Sequence, residues 1–403
     1  MTIRCVLLLV TAGICAFGQD SKDEIIQKLI SRVEALEREV AGLKQPAVQV
    51  PAATPPAAPS PELPAAVPVE LPAADQPEPS RFTFRGFGDV GFLRNVDGLS
   101  TKRFALGEVD LFATARISPR VTVLLETVLE TDNQVFTSQV PINVERALLQ
   151  YRGNDYFNLD IGSYRTAIGY YSMAYLRGSW FQTAVSRPRI FSFEDDGGFL
   201  PLHNVGVSAN GRIPSGALGL HYVFEVGSSR NYAQPGRTGV DLEQNRGVNL
   251  AIFAQPASVR GLQVGFSSYH DQFSPAPGYR FDRSIWTVHV VYQAHRLEFL
   301  NEAMLERSAD RTGYLGIPGF YSQIAYRVGS NWSPYLRFDY ANVYGNNAVA
   351  DGLKQYLPWR TIFSGGIRYD LSEAVALKFE LGRETDRYQS PWIRAAAQIA
   401  FTF

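Results

Sequence analysis

Arg187-Pro188-Arg189 and Glu194-Asp195-Asp196 place two guanidinium groups and three carboxylates in one short stretch of chain. Such groups do electrostatics rather than bond-making. Set across a narrow, partly desolvated opening, they create a transverse field that sorts solutes by charge and dipole. Residues for covalent chemistry form no recognisable arrangement. His203, His221, His270, His289 and His295 are scattered, and none sits in a catalytic motif. An outer-membrane lipase or protease would need a nucleophile and a base held together. The chain therefore reads as a non-enzyme; turnover lost on substituting His203 or His270 would reverse that. Cys5 and Cys15 are the only cysteines, and both lie in the leader. The mature chain has no thiol, disulfide or cysteine metal site, and no cofactor or metal is expected. A net charge of −1 gives no case for nucleic acid.

Charges of this kind need a rigid frame, and the pattern from Arg81 to Phe403 supplies one. The last twelve residues read Ile393, Ala395, Ala397, Ile399, Phe401 and Phe403 on one face and Arg394, Ala396, Gln398, Ala400 and Thr402 on the other. One face is apolar, the other small or polar, as a strand between lipid and a wet lumen requires. Similar segments run over 82–94, 103–117, 121–131, 143–152, 156–164, 203–213, 217–227, 246–255, 262–271, 283–293, 296–307, 319–329, 334–344, 360–370, 374–384 and 392–403. An even number closes an antiparallel barrel. The segment 296–307 is the least clean: Asn301 falls on its apolar face, and Glu298, Glu302 and Glu306 share the other, so an amphipathic helix competes there. Every second connection is short, such as Ser118-Pro119-Arg120 and Ala294-His295, and those between are longer. That asymmetry places both ends of the barrel on the short-turn side. Tyr151, Tyr156, Trp332, Tyr335, Trp359 and Trp392 gather near strand ends, as an interfacial girdle would. The expected fold is all-β: a sixteen-stranded antiparallel transmembrane barrel over 81–403, preceded by a coiled-coil helix and a Pro/Ala-rich linker. A soluble β-sandwich pair explains neither the terminal strand nor the loop asymmetry.

Three segments precede the barrel. Residues 1–18 read as a signal peptide, with Arg4, an apolar run opening at Val6, and Ala16-Phe17-Gly18 as a cleavage site. Lipoprotein processing at Cys15 is opposed by the bulky Ile14. Within 19–45, Ile26, Val33 and Val40 fall at heptad a and Leu29, Leu36 and Leu43 at d. Arg32 can reach Glu37 of a neighbouring chain, and Glu39 can reach Lys44. β-branched a and Leu d suit a dimer; Ile25 and Ile30 broaden the apolar face and suit three strands. Residues 46–80 form a Pro/Ala-rich spacer that could extend on the order of 100 Å at ~3.1 Å per residue.

The connection from Arg165 to Leu202 is the longest loop after a short strand and carries Gly169-Tyr170-Tyr171, Gly178-Ser179-Trp180-Phe181, the two arginines and the acidic cluster. Loops of this length inside a compact domain are usually functional. It is read either as a solvated cap or as a fold into the lumen.

The strand count, the carboxy-terminal Phe403, the short-turn placement of the ends and the loop after the fifth strand resemble the bacterial outer-membrane porins. The heptad segment is similar to that of the DcaP-like group, and phosphate-selective porins are more distantly alike. The resemblance covers about four fifths of the chain and is architectural. It implies a homotrimer of water-filled channels in the cell outer membrane, with the coiled coil in the periplasm. Small hydrophilic solutes would diffuse through, lipids and lipopolysaccharide would surround the barrel, and Phe403 would signal to the barrel-assembly machinery. In such porins wall arginines face acids on a constriction loop. Here the wall candidates are Arg85, Arg116, Arg146, Arg337, Arg368 and Arg394, opposite Glu194, Asp195 and Asp196; Arg187 and Arg189 either fix the loop or line an anion path. Asp89, Glu108, Asp110, Glu126, Glu130 and Asp160 roughly balance the arginines, which argues against strict anion selectivity. A structural tether to the cell wall is the alternative function. An energy-coupled transporter would carry a folded plug domain, for which 19–80 offers no sequence.

Overall fold

The computed structural model describes residues 81–95, 103–130, 142–175, 178–192, 200–229, 246–273, 280–346, 360–387 and 390–403. The signal-peptide, coiled-coil and spacer assignments, the girdle residue Trp359, and Glu194, Asp195 and Asp196 lie outside these residues.

Seventeen strands join in one antiparallel sheet. They are β1 (Phe82–Asn95), β2 (Arg103–Ser118), β3 (Val121–Glu130), β4 (Ile142–Asn154), β5 (Phe157–Arg165), β6 (His203–Ile213), β7 (Leu220–Ser229), β8 (Arg246–Ala254), β9 (Leu262–Phe273), β10 (Phe281–Ala294), β11 (Leu297–Ala309), β12 (Tyr314–Tyr326), β13 (Trp332–Ala341), the two-residue β14 (Tyr344–Gly345), β15 (Arg360–Asp370), β16 (Val375–Asp386) and β17 (Trp392–Thr402). Sixteen are long, and each pairs with its chain neighbours. β17 closes on β1 in a register running from Phe87↔Thr402 to Asn95↔Arg394. Closure removes the free edges that an open sheet would present. No helix among the described residues is long and apolar enough to cross a membrane.

The period-two rule sets the two surfaces. On β17, Ile393 and Ile399 are exposed outward, while Ala396 and Ala400 are buried inward. At the seam, Gly86 and Phe403 exchange backbone bonds of 2.8 and 3.0 Å. A Cβ on Gly86 would run into the Phe403 ring, so the absent side chain leaves room for the aromatic to lie across the seam. A register shift between Glu126 and Thr127 seats the extra residue of β4 beside Arg146. Two charged side chains thus follow one another: Arg146 pairs with Glu126, and Glu145 with His203 at 2.7 Å.

Two strand starts differ from expectation by three residues or more. β12 begins at Tyr314, ahead of Pro318. Pro318 sits where the β12–β13 ladder stops and before the β12–β14 pairing begins, so its missing N–H interrupts no bond there. β7 begins at Leu220, because Gly216–Leu218 form a 3-10 turn that Gly219 ends at φ 59°. The segment 296–307 is a strand, with every ladder position from Leu297 to Ala309 paired to β10.

Candidate functional site: the segment inside the barrel

The chain leaves β5 and turns inward. Thr166 N donates to Leu202 O at 2.9 Å and its hydroxyl to Pro201 O at 2.7 Å, joining the two feet of the segment. Ala167 N then reaches Glu225 of β7 at 3.0 Å. Helix α1 (Gly169–Tyr175) starts at Gly169, where φ is 74°. A side chain there would strike the Glu302 carboxylate and the Phe191 ring, so glycine is required on both counts. Glu302, on β11, accepts from Tyr170 N, from Tyr171 N at 2.9 Å and from Tyr321 OH at 2.7 Å. A buried carboxylate satisfied this way holds two amides that begin a helix.

Apolar packing adds to that anchor. Ile168, Tyr171, Ile190, Phe191, Leu200 and Leu202 pack with Tyr269, Ile285, Leu300, Met304 and Tyr321 of the wall. Tyr171 and Phe191 stack with centroids 5.4 Å apart. At about 1.5–3 kcal/mol per fully buried large apolar side chain, the six loop side chains supply roughly 10–20 kcal/mol as an upper bound. Burial pushes the phenols of Tyr170 and Tyr171 up to about 12, so both remain protonated donors near neutral pH.

The segment then reaches the opposite wall. Tyr175 OH accepts from Gln293 of β10. Gly178 N donates to Asp110 of β2 at 3.1 Å, and Ser179 Oγ to Asp89 of β1 at 3.0 Å. β2 and β10 are eight long strands apart in either direction around the ring, so these anchors face each other across the barrel. Phe181 meets Phe87 at 4.8 Å, and Phe87 meets Phe112 edge-on at 5.5 Å. The chain returns along β15, β16 and β13. Arg368 donates to Trp180 O and to Gln182 O at 3.0 Å; Lys378 donates to Ser179 O and to Ala184 O at 3.2 Å. Ser186 Oγ reaches Glu380 at 2.6 Å, and Arg337 Nη2 donates to Arg187 O at 3.2 Å. Arg189 N finally reaches Asp339 at 2.9 Å, in the 3-10 turn Arg189–Phe191.

These contacts distribute the expected site residues. Arg337 and Arg368 do face inward, but they hold loop carbonyls. Arg337 is 2% exposed. Arg394 pairs with Glu380 at 2.9 Å and Glu384 at 3.4 Å. Arg187 donates to Phe191 O at 3.1 Å and lies over the Tyr171 ring. Arg189 donates to Ser192 Oγ at 3.2 Å. Arg146 and Arg165 share Glu126. Arg85 and Arg116 are solvent-exposed near the short-turn end. The wall arginines therefore divide into loop holders (Arg337, Arg368), partners of wall carboxylates (Arg146, Arg394) and solvent-facing groups (Arg85, Arg116), and do not converge on one point. Sequence reasoning listed Asp89, Asp110 and Glu302 as inward acids but missed that they hold the loop. The spacing of Glu298, Glu302 and Glu306 gave their face; nothing local gave their partners.

Acids and arginines differ in exposure. Asp110, Glu126, Glu225 and Glu302 are each no more than 2% exposed. Arg152 is 44% exposed and Arg212 62%. The histidines stay dispersed: His203 on Glu145, His221 stacked on Phe253, His270 against Ser284 on the outward row, His289 against Gln263, and His295 in a turn at φ 55°. Among the described residues no His, Cys, Asp and Glu side chains group in a way that could hold a metal.

No family model and no curated protein matches the sequence. Solved structures match the shape. An anion-selective porin from Comamonas acidovorans aligns over 80% of this chain and 99% of its own, at TM-score 0.56 and 12% identity. The outer-membrane channel DcaP of Acinetobacter baumannii aligns over 80% and 97%, at 0.52 and 10%. OmpT of Vibrio cholerae, in its trimer form, aligns over 80% and 99%, at 0.52 and 10%. This chain has the porin fold. The likeness covers four fifths of the chain, 80% in each case.

Proposed function

We propose that the chain forms a water-filled channel of the outer membrane for passive diffusion of small hydrophilic solutes, narrowed by the loop 165–202. One observation carries the reading: a single inward segment is anchored to β10 and β11 on one wall and to β1 and β2 on the other. Such a segment takes up one side of the lumen, where 180–192 lies along β13, β15 and β16, and leaves the side of β3 to β7 to water. On that side Arg152 and Arg212 stand in solvent, each beside an acid, Asp160 at 2.7 Å and Asp155 at 3.5 Å. Opposed charges of this kind on an open face sort solutes by charge and dipole without strict anion selectivity. Glu194, Asp195 and Asp196 complete the aperture on the loop, with Arg187 and Arg189 fixing its shape.

Assembly follows the same reading. The barrel forms a homotrimer in lipid and lipopolysaccharide, is inserted by the barrel-assembly machinery through Phe403, and holds the coiled coil of 19–45 in the periplasm on the 46–80 spacer. Recording in planar bilayers tests the whole reading. Conductance steps in groups of three are expected, and the reversal potential in a salt gradient reads the selectivity. Reversing charge at Asp195 and Asp196 should shift that potential. Absence of any conductance would overturn the channel.

A further inference from the structure

We propose that a recess on the short-turn side of α1 binds an uncharged, hydroxyl-rich ring solute of the saccharide class. The recess has a volume of about 480 Å³ and is lined by Tyr170, Gln255, Arg260, Gln263, Val291 and Gln293. That volume suits a small-molecule site. It lies where the loop helix passes over the ends of β8, β9 and β10, and it opens toward the turn 255–261.

Its lining is a set of amides and phenols already oriented by one another. Gln255 Nε2 donates to Gln263 Oε1 at 2.9 Å, and Gln263 Nε2 lies 3.2 Å from His289 Nε2. Tyr170 OH donates to Gln293 Oε1 at 2.7 Å, and Gln293 Nε2 donates to Tyr175 OH. A side-chain amide offers two N–H groups and two lone pairs on its oxygen. These bonds fix each amide plane and leave further donors and acceptors for a ligand. Paired donor and acceptor functions match vicinal hydroxyl groups, which themselves both give and accept. The Tyr170 ring stands edge-on to Tyr175, with centroids 5.9 Å apart, and 5.8 Å from the His289 ring. Such a group offers an apolar surface for the C–H face of a sugar ring beside the polar amides.

Charge points the same way. No carboxylate lines the recess, and its single cation, Arg260, is at the exposed turn. A cation would find no counter-charge there, and an anion only a mobile, hydrated one. Past Gln293 lies a second recess of about 290 Å³, polar and charged, that includes Thr183, Ser333, Glu298, Arg296 and Arg327. Gln323 Nε2 donates to Glu298 Oε1 there at 2.8 Å. A short oligomer could therefore extend along one side of the wall. The proposal relies on the channel reading only for how solute reaches the recess.

Calorimetric titration of the purified full chain in detergent with sucrose tests it, with succinate as the anionic comparison. Saturable sucrose binding is expected, weakened roughly tenfold by Tyr170→Ala or Gln263→Ala. Gln255→Ala, at an exposed position, should weaken it less without risk to folding. Asn210→Ala, in a different recess near β6, should leave it unchanged. No saturable sucrose binding, equal binding in all variants, or succinate bound in its place would each overturn the site. Bilayer recordings of the same preparation separate the two readings. Conductance without sucrose binding defeats the site alone; sucrose binding without conductance defeats the channel alone.

Discussion

The wall from β9 to β13 and the wall from β3 to β7 follow the same alternation, yet their inward rows belong to different kinds of protein. Inward from β10, β11 and β12 stand Ile285, Val291, Leu300, Met304, Ile317 and Tyr321, all buried. Inward from β4, β5 and β6 stand Arg152, Asp160, Asn210 and Arg212, which are partly or fully exposed. The first wall is half of a hydrophobic core whose other half is the loop. The second is solvent-exposed toward its short-turn end and buried around Glu145, Ser163, His203 and Ser208. The barrel thus contains a small globular interior on one side and solvent-exposed charged groups on the other, and what an inward residue must be depends on whether the loop covers it.

Removing the loop should erase that distinction, and the largest effect is expected there. Replacing 170–190 with a short Gly-Ser link should raise single-channel conductance several-fold and expose Leu300 and Met304 to water. An unchanged conductance would mean that the loop does not narrow the path. Glu302→Ala comes next. It leaves two amides and the Tyr321 hydroxyl without their acceptor, at about 1–3 kcal/mol for each group left unpaired. Urea unfolding from lipid vesicles should shift to lower concentration, and currents should become noisier. Arg152→Glu, on the open wall, should do the reverse. Its exposed pair with Asp160 contributes roughly 0–1 kcal/mol to stability, so unfolding should stay put while the reversal potential moves toward cations. A change in stability with no change in selectivity would invert the assignment of the two walls. Gly86→Val is the mildest: the Phe403 ring must swing toward lipid, and gel mobility before and after heating should show slightly less closed barrel.

The same contrast explains what the sequence revealed. Strands such as β5 and β6 on the open wall were legible because apolar and polar residues alternate cleanly there, with Phe157, Leu159 and Ile161 outward and Asn158 and Asp160 inward. The sixteen segments, the closing pair and the long loop all came from that signal and from turn spacing. The segment 296–307 was ambiguous for a physical reason: Leu300 and Met304 pack on the loop, so its inward row mixes carboxylates with aliphatics and loses the period. The anchors of the loop were out of reach because hydrogen bonds such as Tyr171 to Glu302 join residues far apart in sequence. Local spacing can say that Glu302 faces inward, but only the fold says what it meets. The glutamines of the recess were invisible for a related cause. Gln263 and Gln293 sit on separate strands and Gln255 in the turn after β8, and they become neighbours only through register.

The reach from Tyr175 at Gln293 to Gly178 at Asp110 has a mechanical consequence. An empty tube squeezed from the side by a bilayer yields first by going oval, because bending a thin wall is easier than compressing it. A member fixed at both ends of a diameter opposes that mode, as a spoke does in a rim. In this barrel the spoke is peptide, and its stiffness along one diameter predicts that the cross-section deforms most easily along the other.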